Sequence, residues 1–118
     1  MATHRIRAAR VYGRAGPDDG TRVLVDRLWP RGLSKDRAQV DVWLKELAPS
    51  TELRRWYDHD PAKHEEFLRR YAAELADSDH AGALAQVRAL VDKGPVTLLT
   101  ATKDLAVSQA AALADHLR

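Results

Sequence analysis

Cysteine is absent from the 118-residue chain. Its absence excludes disulfides, a thiolate metal site and a cysteine nucleophile. The sequence also lacks any run close to the roughly 20 apolar residues that span a bilayer. Its first twelve residues have none of the apolar region that is typical of a signal peptide. We therefore expect a cytoplasmic protein that has no membrane partner.

The common catalytic and cofactor motifs are missing as well. There is no glycine-rich phosphate loop and no G-x-S-x-G turn. Residues 58–60, with the sequence Asp-His-Asp, could be taken for a metal cluster. However, His59 and His64 are five residues apart rather than four, and Asp60 before Pro61 is better explained as a helix N-cap. We expect neither a metal nor a cofactor.

The composition is that of an ordinary folded domain. Hydrophobic residues make up 45% of the chain and charged residues 31%, which argues against disorder. The length suffices for a hydrophobic core but not for several of them. The sequence therefore predicts a single domain over residues 1–118.

Charge is unevenly distributed along the chain, although its net value is only +2. Residues 1–37 contain nine Lys or Arg and four Asp or Glu, and the remainder contains ten and thirteen. The basic first third favours a small anionic ligand. Nucleic acid is the less favoured alternative, because neither a recognition helix nor an aromatic RNA-binding surface is evident. The sequence gives no prediction of oligomeric state.

Three apolar runs predict strands, at residues 5–12, 22–26 and 96–100. The unbroken Val23-Leu24-Val25 is typical of a central parallel strand, although the short loop at residues 13–20 would also suit a hairpin. Residues 40–48 fit either a strand or a helix. These elements indicate a small three-layer α/β domain, with a mainly parallel sheet of three or four strands flanked by helices.

The helices are predicted from apolar spacing and from residues that favour helix starts. Most of them lie in the middle of the chain, between the second and the last strand. The predicted N-caps or helix starts are Ser34, Ser50, Asp60, Asp79 and Asp104.

Charged and hydroxyl residues follow two of the predicted strands. If the strands at 22–26 and 96–100 are parallel neighbours, the side chains that follow them meet at one edge of the sheet. Such a crevice would suit a ligand that carries a phosphate or a carboxylate. The residues brought together would be Asp26, Arg27 and Arg31 from the first strand, and Thr100, Thr102, Lys103 and Asp104 from the second.

Each residue of this predicted site has an expected role. Four cations would hold the anion, namely Arg27, Arg31, Lys35 and Lys103. Trp29 interrupts the charged segment and is therefore expected at the site rather than in the core. Asp26 or Asp104 would act as general acid or base if there is catalysis, which the sequence does not decide.

Two alternatives to a ligand site remain open. The charges of Asp26, Arg27, Lys103 and Asp104 could form an ion-pair network that only braces the loops. The domain could also be a non-enzymatic module that binds nucleic acid or a protein through its basic third.

Several segments resemble the bacterial YeaO-like family, which belongs to a larger domain-of-unknown-function group, DUF488. The similarity covers nearly the whole chain and implies a compact cytoplasmic α/β domain with a parallel sheet. It implies no established activity or cofactor. The segments are RVY at 10–12, DG at 19–20, RVLVDRLWPRG at 22–32, APS at 48–50 and LLTATKD at 98–104.

The start of the predicted last helix departs from the family pattern. Members of the wider group resemble enzymes partly because cysteine and histidine follow the last strand, and YeaO-like chains often have Asn and His there. This chain has LAVSQA at residues 105–110, including Ser108 and Gln109. The resemblance therefore carries no catalytic role to this region.

Overall fold

The computed structural model describes residues 6–13, 15–58 and 60–118, without the side chains of residues 78 and 79. One sheet contains four strands: β1 (Ile6–Arg10), β2 (Thr21–Leu24), β3 (Val42–Trp43) and β4 (Val96–Thr100). All pairs are parallel and the strand order is β1-β4-β2-β3. The predicted α/β class is thus confirmed, and β1 and β2 do not form a hairpin.

The two interior strands are β2 and β4. Val23 pairs with Leu98 and Leu24 with Leu99, and the Val25 N–H extends the pairing by donating to the Leu99 carbonyl at 3.1 Å. Every residue of β4 is buried. Continuous burial on both faces explains why these strands are unbroken apolar runs. The prediction that they are adjacent, parallel and central is confirmed.

Within the described residues, five α-helices flank the sheet, and their starts follow the predicted caps at three places. Ser34 Oγ accepts the N–H of Arg37 at 3.2 Å, and Ser50 Oγ accepts the N–H of Leu53 at 3.1 Å. Asp60 caps a 3₁₀ turn that leads into the third helix. The helices are α1 (Lys35–Ala38), α2 (Thr51–Tyr57), α3 (His64–Leu75), α4 (Ser78–Lys93) and α5 (Gln109–Leu117).

Two local predictions need correction. Residues 40–48 form neither one strand nor one helix, because β3 has only two residues and a 3₁₀ turn at Lys45–Leu47 follows it. The last helix does not start at Asp104. A 3₁₀ turn at Leu105–Val107 comes first, and Ser108 caps α5 by accepting the N–H of Ala111. The predicted cap at Asp79 lies outside the described side chains.

The core lies on both faces of the sheet. Alternate residues of β2 and β4 point to opposite faces, as the strand period requires. Val23 and Leu98 pack into the larger cluster, which includes side chains of α2, α3, α4 and α5. Leu24 and Leu99 pack into a smaller cluster with Ala38 of α1. In the described part of the chain, no helix is both long and apolar enough to cross a bilayer.

A buried ion pair lies at the amino end of β2, opposite the end that leads into the charged loop: Asp19 precedes the strand and Arg22 is part of it. The Arg22 Nη1 donates to Asp19 Oδ2 at 2.6 Å, and both side chains are almost fully buried. The other donors of Arg22 reach the carbonyls of Gln39 and Ala38 at 3.0 and 3.1 Å. Arg7 also donates to Asp19. Two cations of the basic first third, the buried Arg22 and the partly exposed Arg7, are therefore paired with one carboxylate.

The surroundings of Asp19 favour its ionised form. The backbone N–H of Gly16 donates to its carboxylate at 3.0 Å. This bond, followed by those from Arg22 and Arg7, lowers the pKa of Asp19. A lowered pKa contributes stability that is present above the unfolded-state pKa and is lost as the pH falls.

We expect Asp19→Asn to lower the free energy of unfolding at neutral pH by about 3 kcal/mol, because it leaves the Arg22 guanidinium buried without a counter-charge. Urea denaturation measures the loss. Asp18→Asn is the matched control, since Asp18 is exposed and its loss should stay within about 0.5 kcal/mol. Equal losses of unfolding free energy in the two variants would mean that the ion pair of Asp19 does not stabilise the fold.

Candidate functional site

A cleft of about 720 Å³ lies at the carboxyl ends of β2 and β4. The loop at residues 26–31 forms one wall, α2 with the preceding Ala48 and Pro49 forms another, and Ala101, Thr102 and Gln109 complete the lining. The carboxyl edge of a parallel sheet is where α/β proteins usually bind ligands. This is therefore the candidate functional site.

The loop after β2 is fixed by hydrogen bonds from its aromatic neighbours. The Trp29 indole N–H donates to the Leu33 carbonyl at 2.7 Å, which closes the turn around Pro30. The Tyr12 hydroxyl donates to the Arg31 carbonyl at 3.2 Å. Gly32 has a φ of +75°, a conformation that favours glycine. These contacts fix the backbone that carries Arg31.

The indole of Trp43 supports the same loop from β3. Its N–H donates to the Asp26 carbonyl at 2.8 Å, and its ring meets that of Trp29 edge to face at 5.6 Å. The edge strand thus contributes to the loop although it does not line the cleft.

Asp26 joins three segments of the chain. Its Oδ1 accepts from the Thr100 hydroxyl at 2.7 Å and from the Gln109 amide at 2.5 Å, and its Oδ2 accepts from the Ala101 N–H at 2.8 Å. Burial raises the pKa of Asp26, although these three hydrogen bonds and the charge of Arg54 oppose the effect. The carboxylate therefore connects the ends of β2 and β4 to the start of α5.

Four arginines line the cleft: Arg27, Arg31, Arg54 and Arg55. Arg27 donates to the Pro49 carbonyl at 3.1 Å. The side chains of the other three form no hydrogen bond or ion pair with another described residue, and all three residues are exposed. Guanidinium groups with free donors match the planar geometry of carboxylates and phosphates.

Helix α2 presents a polar stripe to the cleft. Thr51, Arg54 and Arg55 line it at the spacing of one helical face, and Asp58, the residue just after the helix, lines it as well. Leu53 and Tyr57 are buried. Sequence reasoning missed Arg54 and Arg55. Their helical spacing was visible in the sequence, but nothing local indicates that α2 lies beside the ends of β2 and β4.

Tyr57 lies at the base of the cleft. Its hydroxyl donates to the Val107 carbonyl at 2.9 Å and lies 2.9 Å from His64 Nδ1. Its ring stacks on that of Phe67, with centroids 4.0 Å apart. Burial raises the pKa of Tyr57. Its contacts are those of a structural residue that ties α2 to α3 and to the turn before α5.

The structure gathers some of the predicted site residues and separates others. Asp26, Arg27, Trp29 and Arg31 line the cleft. The remaining three do not line it: Lys35, at the start of α1, and Lys103 and Asp104, beyond Thr102. All three are exposed. Their roles in ligand binding or catalysis stay predictions, and this cleft does not support them.

The alternative of a bracing ion-pair network is wrong. Asp26, Arg27, Lys103 and Asp104 form no ion pair with one another, because neutral donors hold Asp26 and a backbone carbonyl holds Arg27.

The described residues also contain no group of three or more His, Asp or Glu placed to hold a metal. His59, part of the sequence considered for a metal cluster, lies outside them.

We expect Gln109→Ala to raise the pKa of Asp26 further, because the variant removes a donor to the ionised carboxylate. NMR titration of the Asp26 carboxyl carbon measures the shift. A raised native pKa reduces stability as the pH rises through it, so the variant should lose more unfolding free energy at about pH 7 than at about pH 3. Gln86→Ala, on an exposed part of α4, should change neither quantity. An unshifted Asp26 in Gln109→Ala would contradict this arrangement.

The matching family model and the similar proteins all indicate the same family. The family model described as "DUF488-N3i: Inactive DUF488-N3 subclade" matches residues 5–118. Uncharacterized proteins of Mycobacterium tuberculosis and Mycobacterium bovis are each 52% identical over 113 residues, which cover 96% of this chain and 93% of theirs. The uncharacterized protein YeaO of Escherichia coli is 42% identical and covers 96% of both chains. No solved structure matches. The chain therefore belongs to the DUF488 family, as a YeaO-like member of the subclade described as inactive.

Proposed function

We propose that this domain binds a small anionic compound in the cleft between the 26–31 loop and α2, and that it does so without catalysis. The observation that carries the proposal is that Arg31, Arg54 and Arg55 line one cleft, where their side chains form no hydrogen bond or ion pair with another described residue. The four arginines of the lining outnumber its two aspartates, Asp26 and Asp58, so repulsion among the arginines remains and a bound anion relieves it. Their guanidinium groups would bind a phosphate or a carboxylate.

The hydrogen bonds of Asp26 and the position of Asp104, the two predicted acid–base residues, favour binding over catalysis. Asp26 already accepts three hydrogen bonds that join the strand ends to α5, and Asp104 does not line the cleft. The description of the matching subclade as inactive agrees with this proposal.

Nucleic-acid binding has less support. It was suggested by the basic first third, but Arg7 and Arg22 of that segment are paired with Asp19. The positive charge available at the surface is correspondingly smaller, and phosphate contacts along a nucleic acid depend on that charge. We also propose that the protein is cytoplasmic.

Thermal melting tests anion binding directly. Wild-type protein should melt at a higher temperature in phosphate than in chloride of equal ionic strength, because a ligand that binds only the native state stabilises it. Arg31→Lys should weaken phosphate binding by about 1.5–3 kcal/mol, because an ammonium group cannot reproduce the planar fork. Its melting temperature in chloride should equal that of the wild type, since the Arg31 side chain makes no internal hydrogen bond.

The matched control is Arg37→Lys, an exposed arginine of α1 that does not line the cleft. It should keep the full stabilisation by phosphate. The proposal is overturned if phosphate stabilises the wild type no more than chloride does, or if the two variants lose the same amount.

A further inference from the structure

We infer that the anion bound in this cleft is a phosphate monoester that carries an apolar group, held as its dianion. The inference rests on the proposed function and specifies the class of ligand. It follows from the charge of the lining, the number of its hydrogen-bond donors and the exposed apolar side chains at its mouth.

The charge of the lining matches a dianion. Four arginines and two aspartates, Asp26 and Asp58, line the cleft and leave an excess of two positive charges. No lysine contributes to this excess. A phosphate monoester carries about −1.5 to −2 at neutral pH, so it neutralises the cleft. A carboxylate or a phosphodiester carries a single charge and leaves half of the excess.

The donors also outnumber what a carboxylate accepts. Each guanidinium has five N–H groups, whereas a carboxylate has only two oxygens. Arg27 uses one donor on the Pro49 carbonyl, and the side chains of Arg31, Arg54 and Arg55 have no described partner. A monoester presents three strongly accepting oxygens. It therefore suits three guanidinium groups that approach from two sides, the 26–31 loop and α2.

Apolar side chains also line the cleft, two of them on the 26–31 loop and one, Tyr12, in the segment after β1. Leu28 lines the cleft and is 73% exposed, and Tyr12 lines it and is 46% exposed. Trp29, between Leu28 and Pro30, is also part of the lining. Inorganic phosphate would leave these side chains in water, whereas an ester with an apolar or aromatic group would cover them.

Calorimetric titration with small probes tests the ligand class. Phenyl phosphate is the monoester, methyl phenyl phosphate is the singly charged diester, and benzoate is the carboxylate with the same ring. At about pH 7.5, phenyl phosphate should bind at least about tenfold more tightly than either of the others, because it alone supplies two charges and three free oxygens. Its affinity should fall at about pH 5, below its second pKa of about 6.

The apolar contact has a test of its own. Leu28→Ala should weaken phenyl phosphate several-fold and leave the affinity for inorganic phosphate unchanged. Because Leu28 is largely exposed, the variant should fold and melt as the wild type does. If Leu28→Ala loses the same affinity for both ligands, or loses none for phenyl phosphate, the inference that the ligand carries an apolar group is wrong.

The outcomes separate this inference from the proposed function. If benzoate or the diester binds as tightly as phenyl phosphate and Arg31→Lys weakens all of them, the cleft binds anions but the monoester class is wrong. If none of the probes binds, or if Arg31→Lys binds each probe as the wild type does, the proposed function fails together with the inference.

Discussion

The hydrogen bonds of one carboxylate determine how the two central strands end. Asp26 lies two residues after β2. Its carboxylate accepts hydrogen bonds from Thr100 and Ala101, at the end of β4, and from Gln109 in the first turn of α5. The carboxyl ends of adjacent parallel strands tend to diverge into separate loops, and here three donors keep them together. The cost is the desolvation of a charge, seen in its raised pKa. The cleft depends on these three hydrogen bonds, because Arg27 and Arg31 follow Asp26 in the loop that lines it.

The parts of the fold that could be predicted are those specified by local sequence. Val23-Leu24-Val25 and residues 96–100 are unbroken apolar runs, and burial on both faces of a parallel sheet is the environment that requires them. Ser34, Ser50 and Asp60 cap helical segments because their side chains satisfy N–H groups only a few residues away. The loop at residues 26–31 was found for the same reason, since its charges follow the strand directly.

The rest depends on distances between segments that no local pattern encodes. Arg54 and Arg55 join the cleft only because α2 packs beside the carboxyl ends of the sheet. Lys103 and Asp104 follow shortly after β4, yet this segment lines the cleft only at Ala101 and Thr102, and the lining resumes at Gln109. The pairing of Arg22 with Asp19 depends on burial, and an arginine within an apolar run does not reveal its partner.

The strand order has a consequence for the synthesis of the protein. β4 follows β1, β2 and β3 in the sequence, yet it lies between β1 and β2 in the sheet. As the ribosome releases the chain from its amino end, β1 and β2 have no interior partner until residues 96–100 emerge, and Asp26 lacks Gln109 until α5 follows. Until then the edges of β1 and β2 that later pair with β4 are exposed, and unpaired strand edges of this kind favour aggregation. The lining of the cleft is complete only after Gln109 has been released.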